Sequence, residues 1–229
     1  ARERVDLPDQ APKGMPDRPF NEFRPALLKG FGHDNQGRSV VDEFMPAEFQ
    51  DWMHHSYDAA VATADEYVGE IMSKLAELNL SEETIIVFTS DHGEELFEHG
   101  HLAHGQSLHE ELVRVPLIFA GPGIPEGART SKLISNRHIA PTLAKFGGVE
   151  LSDIPDPRDL SVPSELASEA VITSTHQGWW NGQYRIPIYG ITTDEWSLHW
   201  APRGAPWAEK PEPWLLYTAD VGEEVGRGS

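Results

Sequence analysis

Asp91 and His92 stand side by side after an apolar run, and both carry groups that bind metal ions. An aspartate carboxylate favours hard ions such as calcium or magnesium, whereas an imidazole shifts the preference towards manganese or zinc. Gly93 supplies a turn that lets the two side chains diverge around one ion. An isolated Asp-His pair is more often a helix cap beside a surface histidine, but four further histidines follow within 17 residues: His99, His101, His104 and His109. The segment therefore predicts a divalent metal site with Asp91 and His92 as ligands.

The residues before this pair predict the strand that positions it. Residues 84–89 read TIIVFT, a β-branched and aromatic run without alternation, which is typical of a strand buried on both faces of a parallel sheet. Asp91 and His92 then follow the carboxyl end of that strand. In open α/β sheets ligands bind at this edge, because the loops that leave the strands converge there. We therefore expect an α/β fold whose sheet edge carries the site.

Other elements of the same core follow from apolar spacing. Apolar residues three and four apart predict one long amphipathic helix that begins at Pro46 and packs its stripe in the core. The stripe contains Phe49, Trp52, Met53, Tyr57, Val61, Ala64, Val68, Ile71, Met72, Leu75 and Leu78. The run VPLIFA at 115–120 predicts another buried strand, and residues 139–146 predict a short helix that ends at the glycines 147 and 148.

The character of the chain changes after about residue 150. A stretch rich in proline, aspartate and serine, LSDIPDPRDLSVPSE, marks a boundary between subdomains. Beyond it, residues 170–175, 184–192 and 196–200 predict strands of an antiparallel sheet, with Pro187 indicating an edge or a bulge.

Composition limits the classes of partner. The chain carries 37 acidic and 18 basic residues, six of them lysine, and has a net charge of −19. Nucleic acids would be repelled, and an acidic surface poor in lysine is typical of a protein kept soluble at high salt, so we hypothesise a halophilic source. The apolar runs are of strand length and no leader-like segment occurs, so we expect a soluble chain with no membrane span or signal peptide in these 229 residues.

The motifs together resemble those of the sulfatases, a family of metal-dependent hydrolases in the alkaline-phosphatase-like superfamily. The chain shows SDHGEELFEHG at 90–100, then His104, HEE at 109–111 and RVP at 114–116. YDAAVATADEYVG at 57–69 is similar to the helix that precedes the family's metal-binding strand, and NRHIAPTLAKFGG at 136–148 is similar to its Pro-Thr-Leu helix. The resemblance covers about residues 45–150.

The resemblance implies roles for individual residues. Asp91 and His92 correspond to metal ligands, with calcium as the expected ion and manganese or zinc as alternatives, and His104 takes the place of a lysine that contacts the scissile ester. Glu94 and Glu95 match the family string but are equally explained as solvated charges at a helix start, so they stay outside the predicted site. The implied fold is a mostly parallel sheet flanked by helices, with a small antiparallel sheet in a C-terminal subdomain. The implied substrate is a sulfate ester of a small molecule or sugar.

The chain departs from the family pattern at the nucleophile. Sulfatases use a cysteine or serine in a Cys/Ser-x-Pro-x-Arg motif, converted to formylglycine, and two aspartates on a first strand. This chain has no cysteine, and its Pro-x-Arg at 16–18 has Gly14 at the nucleophile position. We therefore expect the C-terminal part of a longer enzyme, inactive alone: a connecting segment at 1–44, the α/β core at 45–150 and a small α+β subdomain at 151–229. A phosphonate monoester hydrolase or phosphodiesterase of the same superfamily is one alternative, a non-catalytic metal-binding or assembly module is another, and the oligomeric state is left open.

Overall fold

The computed structural model describes residues 47–99, 102–105, 107–149, 151, 160, 170–177, 186–201, 214–218 and 224–228. The predicted connecting segment, residues 1–44, lies outside these ranges. The described residues fall into two units. The first contains those up to His104 and residues 115–122, and the second contains residues 105–114 and those from Gly123 onward. The predicted subdomain boundary at residue 150 lies within the second unit, and a division at that point stays a prediction.

The first unit begins with the long helix that the apolar spacing predicts, α1 (Ala47–Glu77). The helix ends because Asn79 takes a left-handed backbone conformation, with φ of 56°, which asparagine tolerates better than most residues. The N–H of Leu80 then bonds back to the carbonyl of Leu75 at 2.9 Å, which closes the last turn. Within the part of the chain that the structure describes, no helix combines the length and apolarity needed to cross a membrane.

The apolar stripe of α1 is covered only in part. Phe49 and Trp52 near its start are half-buried, and their rings lie 5.9 Å apart. Further along the helix and just past its end, five stripe residues are between 41% and 61% exposed: Tyr57, Val61, Ile71, Met72 and Leu78. The prediction that the whole stripe packs in the core is therefore wrong for these five residues.

The predicted site strand is β1 (Ile86–Thr89), and it pairs antiparallel with β4 (Leu117–Ala120). Ile86 and Val87 are half-buried, whereas Phe88 is 42% exposed, so β1 is not buried on both faces here. Every strand pairing among the described residues is antiparallel. The mostly parallel sheet stays a prediction. Gly121, directly after β4, has φ of 124°, and a Cβ there would collide with the backbone carbonyl of Thr84.

A small hairpin completes the first unit. It consists of β2 (Glu95–Leu96) and β3 (Leu102–Ala103), which pair antiparallel with Glu95 opposite Ala103 and Leu96 opposite Leu102. The N–H of Leu96 donates to Oε2 of Glu98 at 2.7 Å, so a side chain in the turn satisfies a strand donor. The ring of Phe97 in this turn contacts the ring of His54 on α1 edge-on, with centroids 6.3 Å apart. The hairpin is thereby held against the helix.

The second unit contains α2 (Glu110–Val113), α3 (Ile139–Phe146) and a five-stranded antiparallel sheet. The strands follow in chain order as β5 (Val171–Gln177), β6 (Ile186–Thr192), β7 (Trp196–Trp200), β8 (Trp214–Thr218) and β9 (Glu224–Gly228). The antiparallel sheet expected near the C-terminus is confirmed. Strands β8 and β9 extend it beyond the three that the sequence predicts.

Strand β7 reverses the usual distribution of polar and apolar residues, although its buried neighbours on β8 are Leu215 and Tyr217. Ser197 and His199 on β7 are buried, whereas Trp196 and Trp200 on the same strand are 43% and 47% exposed. Hydrogen bonds satisfy the buried polar groups. The hydroxyls of Thr192 and Ser197 lie 2.9 Å apart, and Oγ of Ser197 lies 3.1 Å from Nε2 of His199. Such a network lowers the free-energy cost of burying the polar side chains of β7, because each of them keeps a hydrogen bond when it leaves water.

Candidate active site

The loop after β1 presents Asp91 and His92 in a fixed local conformation. Oγ of Ser90 donates to the carbonyl oxygen of His92 at 2.6 Å, and the N–H of His92 donates to Oδ1 of Asp91 at 3.0 Å. That backbone N–H, followed by the charge of the His92 ring, holds the pKa of Asp91 below its ordinary value. The carboxylate is therefore ionised at neutral pH, as a carboxylate ligand must be to bind a metal ion. Its side chain is 88% exposed.

The ring of His92 is oriented for metal binding by its other nitrogen. Nδ1 lies 2.8 Å from the carbonyl oxygen of Gly93. A carbonyl oxygen only accepts hydrogen bonds, so in the neutral ring Nδ1 carries the hydrogen and Nε2 keeps its lone pair. Nε2 lies 3.8 Å from Oδ2 of Asp91, a separation that one divalent ion can bridge at ordinary ligand distances of about 2.0–2.6 Å. Oδ2 of Asp91 and Nε2 of His92 therefore fit as two ligands of one metal ion.

The hairpin of β2 and β3 brings His104 to the same place. Its ring centroid lies 4.2 Å from that of His92, with 33° between the ring planes. His104 is 51% exposed at its side chain and His92 is 44% exposed, so both rings remain accessible to a ligand. The structure thus brings together Asp91, His92 and His104, the three residues that the sequence predicts for the site. Their roles as ligands and catalytic group stay predictions.

Glu94 is the site residue that the sequence pattern did not single out. The pattern treats Glu94 and Glu95 as solvated charges at a helix start, but the structure has no helix there: Glu95 lies in β2 and is fully buried. The carboxylate of Glu94 lies 3.1 Å and 3.3 Å, through its two oxygens, from Nδ1 of His104. The signal that would have found it is the hairpin pairing, because extending the register by one step places Glu94 opposite His104.

The remaining histidines of the segment do not all join this group. His109 belongs to the second unit, where it is buried and its Nε2 lies 3.2 Å from the hydroxyl of Tyr217. Its ring also lies 5.8 Å from that of the buried His199 on β7. His99 is half-buried in the first unit, and His101 lies outside the described residues.

The sequence pattern of this segment has a counterpart among known proteins. The profile of the Sulfatase family matches residues 20–149. The chain belongs to the sulfatase family. The match confirms the resemblance seen in the motifs, and it begins at residue 20, within the predicted connecting segment.

Curated relatives of this sulfatase chain are much longer than the part they share with it. It is 31% identical over 153 residues to human arylsulfatase K, covering 62% of this chain and 27% of that protein. It is 31% identical over 180 residues to the low-salt glycan biosynthesis sulfotransferase Agl7 of Haloferax volcanii, covering 77% of this chain and 43% of that protein. The chain therefore spans less than half of the length of either relative.

Solved structures show the same fold. One is similar with a TM-score of 0.60 at 26% identity, covering 86% of this chain and 38% of the other, and its protein is in complex with its substrate D-glucosamine-2-N,6-O-disulfate. The phosphonate monoester hydrolase of Silicibacter pomeroyi is similar with a TM-score of 0.67 at 18% identity, covering 88% of this chain and 41% of that one. At that identity the likeness concerns the fold alone. These structures support the alkaline-phosphatase-like fold for this chain of the sulfatase family.

Proposed function

We propose that this chain carries part of the active site of a metal-dependent hydrolase of sulfate esters. The observation that carries the proposal is the convergence of Asp91, His92 and His104 in the first unit. The two ring centroids lie 4.2 Å apart, and the donor atoms of Asp91 and His92 lie 3.8 Å apart. A sugar sulfate is the favoured substrate class, because the protein of one similar structure is bound to a glucosamine disulfate.

Asp91 and His92 would hold the metal. When bound, a divalent ion supplies charge stabilisation to the sulfate oxygens. Calcium is the proposed ion because of the exposed carboxylate, and manganese or zinc are the alternatives that the imidazole allows. The hydrogen bond from Nδ1 to Gly93 keeps Nε2 of His92 available for that ion.

His104 is the proposed group that contacts the ester. Its ring lies against that of His92, and Nδ1 is engaged by Glu94, so Nε2 is the ring nitrogen left to meet the substrate. A histidine in this position is suited to donating a hydrogen bond to the sulfate or a proton to the leaving oxygen. General acid-base catalysis typically contributes about 10²–10⁴-fold to the rate, and we expect a loss in that range for His104→Ala in the complete enzyme.

We further propose that the nucleophile and the other metal ligands lie outside these 229 residues. The chain has no cysteine and no Cys/Ser-x-Pro-x-Arg motif, and it spans 27% and 43% of the two relatives above. The exposed stripe of α1 agrees with this, since the rest of an α/β core would cover it. The mostly parallel sheet would then be completed by strands of that remaining part.

The coding region upstream of Ala1 tests this division directly. We expect it to encode a strand with paired aspartates followed by a Cys/Ser-x-Pro-x-Arg motif, the substrate for conversion to formylglycine. A threonine or an unmodified serine at that position would favour the phosphonate monoester hydrolase or phosphodiesterase alternative. A start codon immediately before Ala1 would favour the non-catalytic module.

Metal titration of the chain itself tests the ligand assignment. Calorimetric titration with calcium, manganese and zinc should show weak binding, because two ligands alone hold an ion loosely, and binding should be lost in Asp91→Asn and His92→Gln. His55→Gln is the matched control, since His55 is an exposed histidine on α1 whose Nδ1 bonds to the carbonyl of Asp51. Equal binding by all the variants would show that Asp91 and His92 are not ligands.

The reaction itself is tested on the complete gene product. We expect a higher kcat/KM for an aryl or sugar sulfate than for an aryl phosphonate monoester, and the reverse order would overturn the sulfatase assignment. Transfer of the sulfuryl group to an acceptor other than water is a second candidate reaction. The relative from Haloferax volcanii, whose alignment covers 77% of this chain at 31% identity, is named a sulfotransferase. Formation of a sulfated acceptor, rather than free sulfate, would identify that reaction.

A further inference from the structure

Glu94 and His104 face each other because of the register of the small hairpin. Glu95 pairs with Ala103 and Leu96 with Leu102, so one further step along both strands places Glu94 opposite His104. Side chains directly opposite on antiparallel strands have Cβ atoms about 4.5–5.5 Å apart, close enough to bond. Strand alternation separates the two neighbouring acids: Glu95 is fully buried, whereas the Glu94 side chain is 27% exposed on the other face.

The contact between the two side chains is a directed hydrogen bond. Nδ1 of His104 lies 3.1 Å from Oε2 and 3.3 Å from Oε1 of Glu94. An ionised carboxylate only accepts, so Nδ1 donates and its hydrogen is committed to Glu94. The face of the His92 ring, 4.2 Å away, restricts the plane of the His104 ring. Glu94 therefore engages Nδ1 and not Nε2, in a side chain that is 51% exposed.

The backbone on both sides of this pair is held in unusual conformations. Ala103, directly before His104, has φ of 77°, and Phe97 in the turn has φ of 82°. Neither is glycine, and a left-handed conformation at such residues is held only when the surrounding structure requires it. The hydrogen bond from Leu96 to Glu98 and the contact of Phe97 with His54 supply such support. Strain of this kind clusters at sites where a side chain must be aimed.

We propose that Glu94 is a positioning residue that fixes the orientation of His104 and keeps hydrogen on its Nδ1, so that Nε2 meets the sulfate ester. Nε2 donates its proton from the protonated ring, and the neutral ring left behind keeps its hydrogen on Nδ1. The proposal rests on the proposed function for the identity of the substrate, but the Glu94–His104 hydrogen bond is a property of the chain alone. A histidine oriented by a carboxylate in this way keeps its reactive nitrogen in one place before the substrate binds, which lowers the cost of reaching the transition state.

The first test is spectroscopic and needs only this chain. Long-range ¹H–¹⁵N correlation spectra of histidine-labelled protein, with the His104 signal assigned by its loss in His104→Gln, report which ring nitrogen is protonated in the neutral ring. We expect hydrogen on Nδ1 in the wild-type chain. In Glu94→Gln, the neutral amide lacks the charge that favours hydrogen on Nδ1 and can also donate to that nitrogen, so we expect the share of rings with hydrogen on Nδ1 to fall.

A matched control lies in the same hairpin. Glu98→Gln keeps an oxygen that accepts from the N–H of Leu96 and leaves Glu94 in place, so the tautomer of His104 should be unchanged. A shift of the tautomer in Glu98→Gln as well would mean that the hairpin as a whole, and not Glu94, sets the ring. Hydrogen on Nε2 in the wild-type chain would overturn the proposal directly.

The second test is kinetic and uses the complete enzyme with an aryl sulfate. We expect Glu94→Gln to lower kcat at least tenfold while KM changes less than threefold, and Glu94→Asp to recover part of the loss because its shorter carboxylate can still accept from Nδ1. An unchanged kcat in Glu94→Gln, in an enzyme that His104→Gln impairs, would overturn the positioning role. Suppose that neither Glu94→Gln nor His104→Gln lowers the rate, while Glu94→Gln still changes the tautomer of His104. The proposed function of His104 would then be wrong, but its hydrogen bond with Glu94 would be confirmed.

Discussion

Gly190 in β6 should not tolerate even a methyl group, because two side chains occupy the space beside it. A Cβ built at this position would lie 2.5 Å from Oγ1 of Thr173 and 3.0 Å from Cδ1 of Leu108, with Cδ2 of His199 at 3.7 Å. Thr173 and His199 are the cross-strand neighbours of Gly190 on the two adjacent strands. The absence of a side chain at Gly190 is therefore what lets Leu108 pack against the sheet, where it is 4% exposed.

The expected cost of Gly190→Ala combines two opposing effects. Forcing a methyl group into a filled site costs about 1–3 kcal/mol, because neighbours must leave their preferred rotamers. Alanine in a strand interior recovers about 0.5–1 kcal/mol relative to glycine, because the unfolded chain loses less freedom. The two ranges together allow a fall in the free energy of unfolding of about 0–2.5 kcal/mol, and we expect the upper half of that range because the new Cβ would lie 2.5 Å from Oγ1 of Thr173. Thr173→Ala removes the closer of the two clashing atoms.

Urea unfolding followed by tryptophan fluorescence measures both variants and their combination. We expect the double variant Gly190→Ala/Thr173→Ala to be more stable than the sum of the single changes predicts, because the new methyl group occupies the volume that Oγ1 leaves. Gly190→Ala with unchanged or increased stability would refute the packing of Leu108 against β6. Strict additivity of the two substitutions would refute the contact with Thr173.

Three further predictions concern other parts of the chain. Tyr217→Phe removes the hydroxyl that lies 3.2 Å from Nε2 of the buried His109, and we expect a loss of about 1 kcal/mol, seen as a lower Tm; an unchanged Tm would contradict the bond. Gly69→Ala, in α1 with nothing within 4 Å of the new Cβ, should raise the urea midpoint through a gain of about 0.5–1 kcal/mol, and a loss would contradict the helix. The free energy of unfolding should rise from dilute buffer to 1 M salt, because salt screens the repulsion within a chain of net charge −19, over a distance of about 3 Å at 1 M. A thermal midpoint that does not change with salt would count against halophilic adaptation.

Elements with strong local signals were predictable from the sequence. The three- and four-residue spacing of apolar side chains predicts α1, and the glycines after Phe146 predict the end of α3. Strand β7 has the predicted bounds, Trp196–Trp200. The placement of Asp91 and His92 at the carboxyl end of β1 also follows from the sequence, since it needs only the end of an apolar run.

Strand partners and strand faces were not predictable in the same way. A continuous apolar run such as residues 84–89 fits a buried strand of either orientation, and the antiparallel partner of β1 lies about 30 residues further along the chain. Alternation along β7 would place Trp196 and Trp200 on the buried side. The structure buries Ser197 and His199 instead, where they bond to each other and Ser197 also bonds to Thr192, and side-chain pairs of this kind leave no periodic signal.

The pairing of Glu94 with His104 shows the same limit at the site. The two residues are ten positions apart, and nothing in the spacing alone distinguishes Glu94 from Glu95, which the hairpin buries on the opposite face. What selects Glu94 is the register of two very short strands, and that register depends on left-handed backbone at Phe97 and Ala103. A shift of one residue would exchange the two acids. The orientation of His104 is therefore encoded in the turn geometry of the hairpin, and the motif supplies only the residue types.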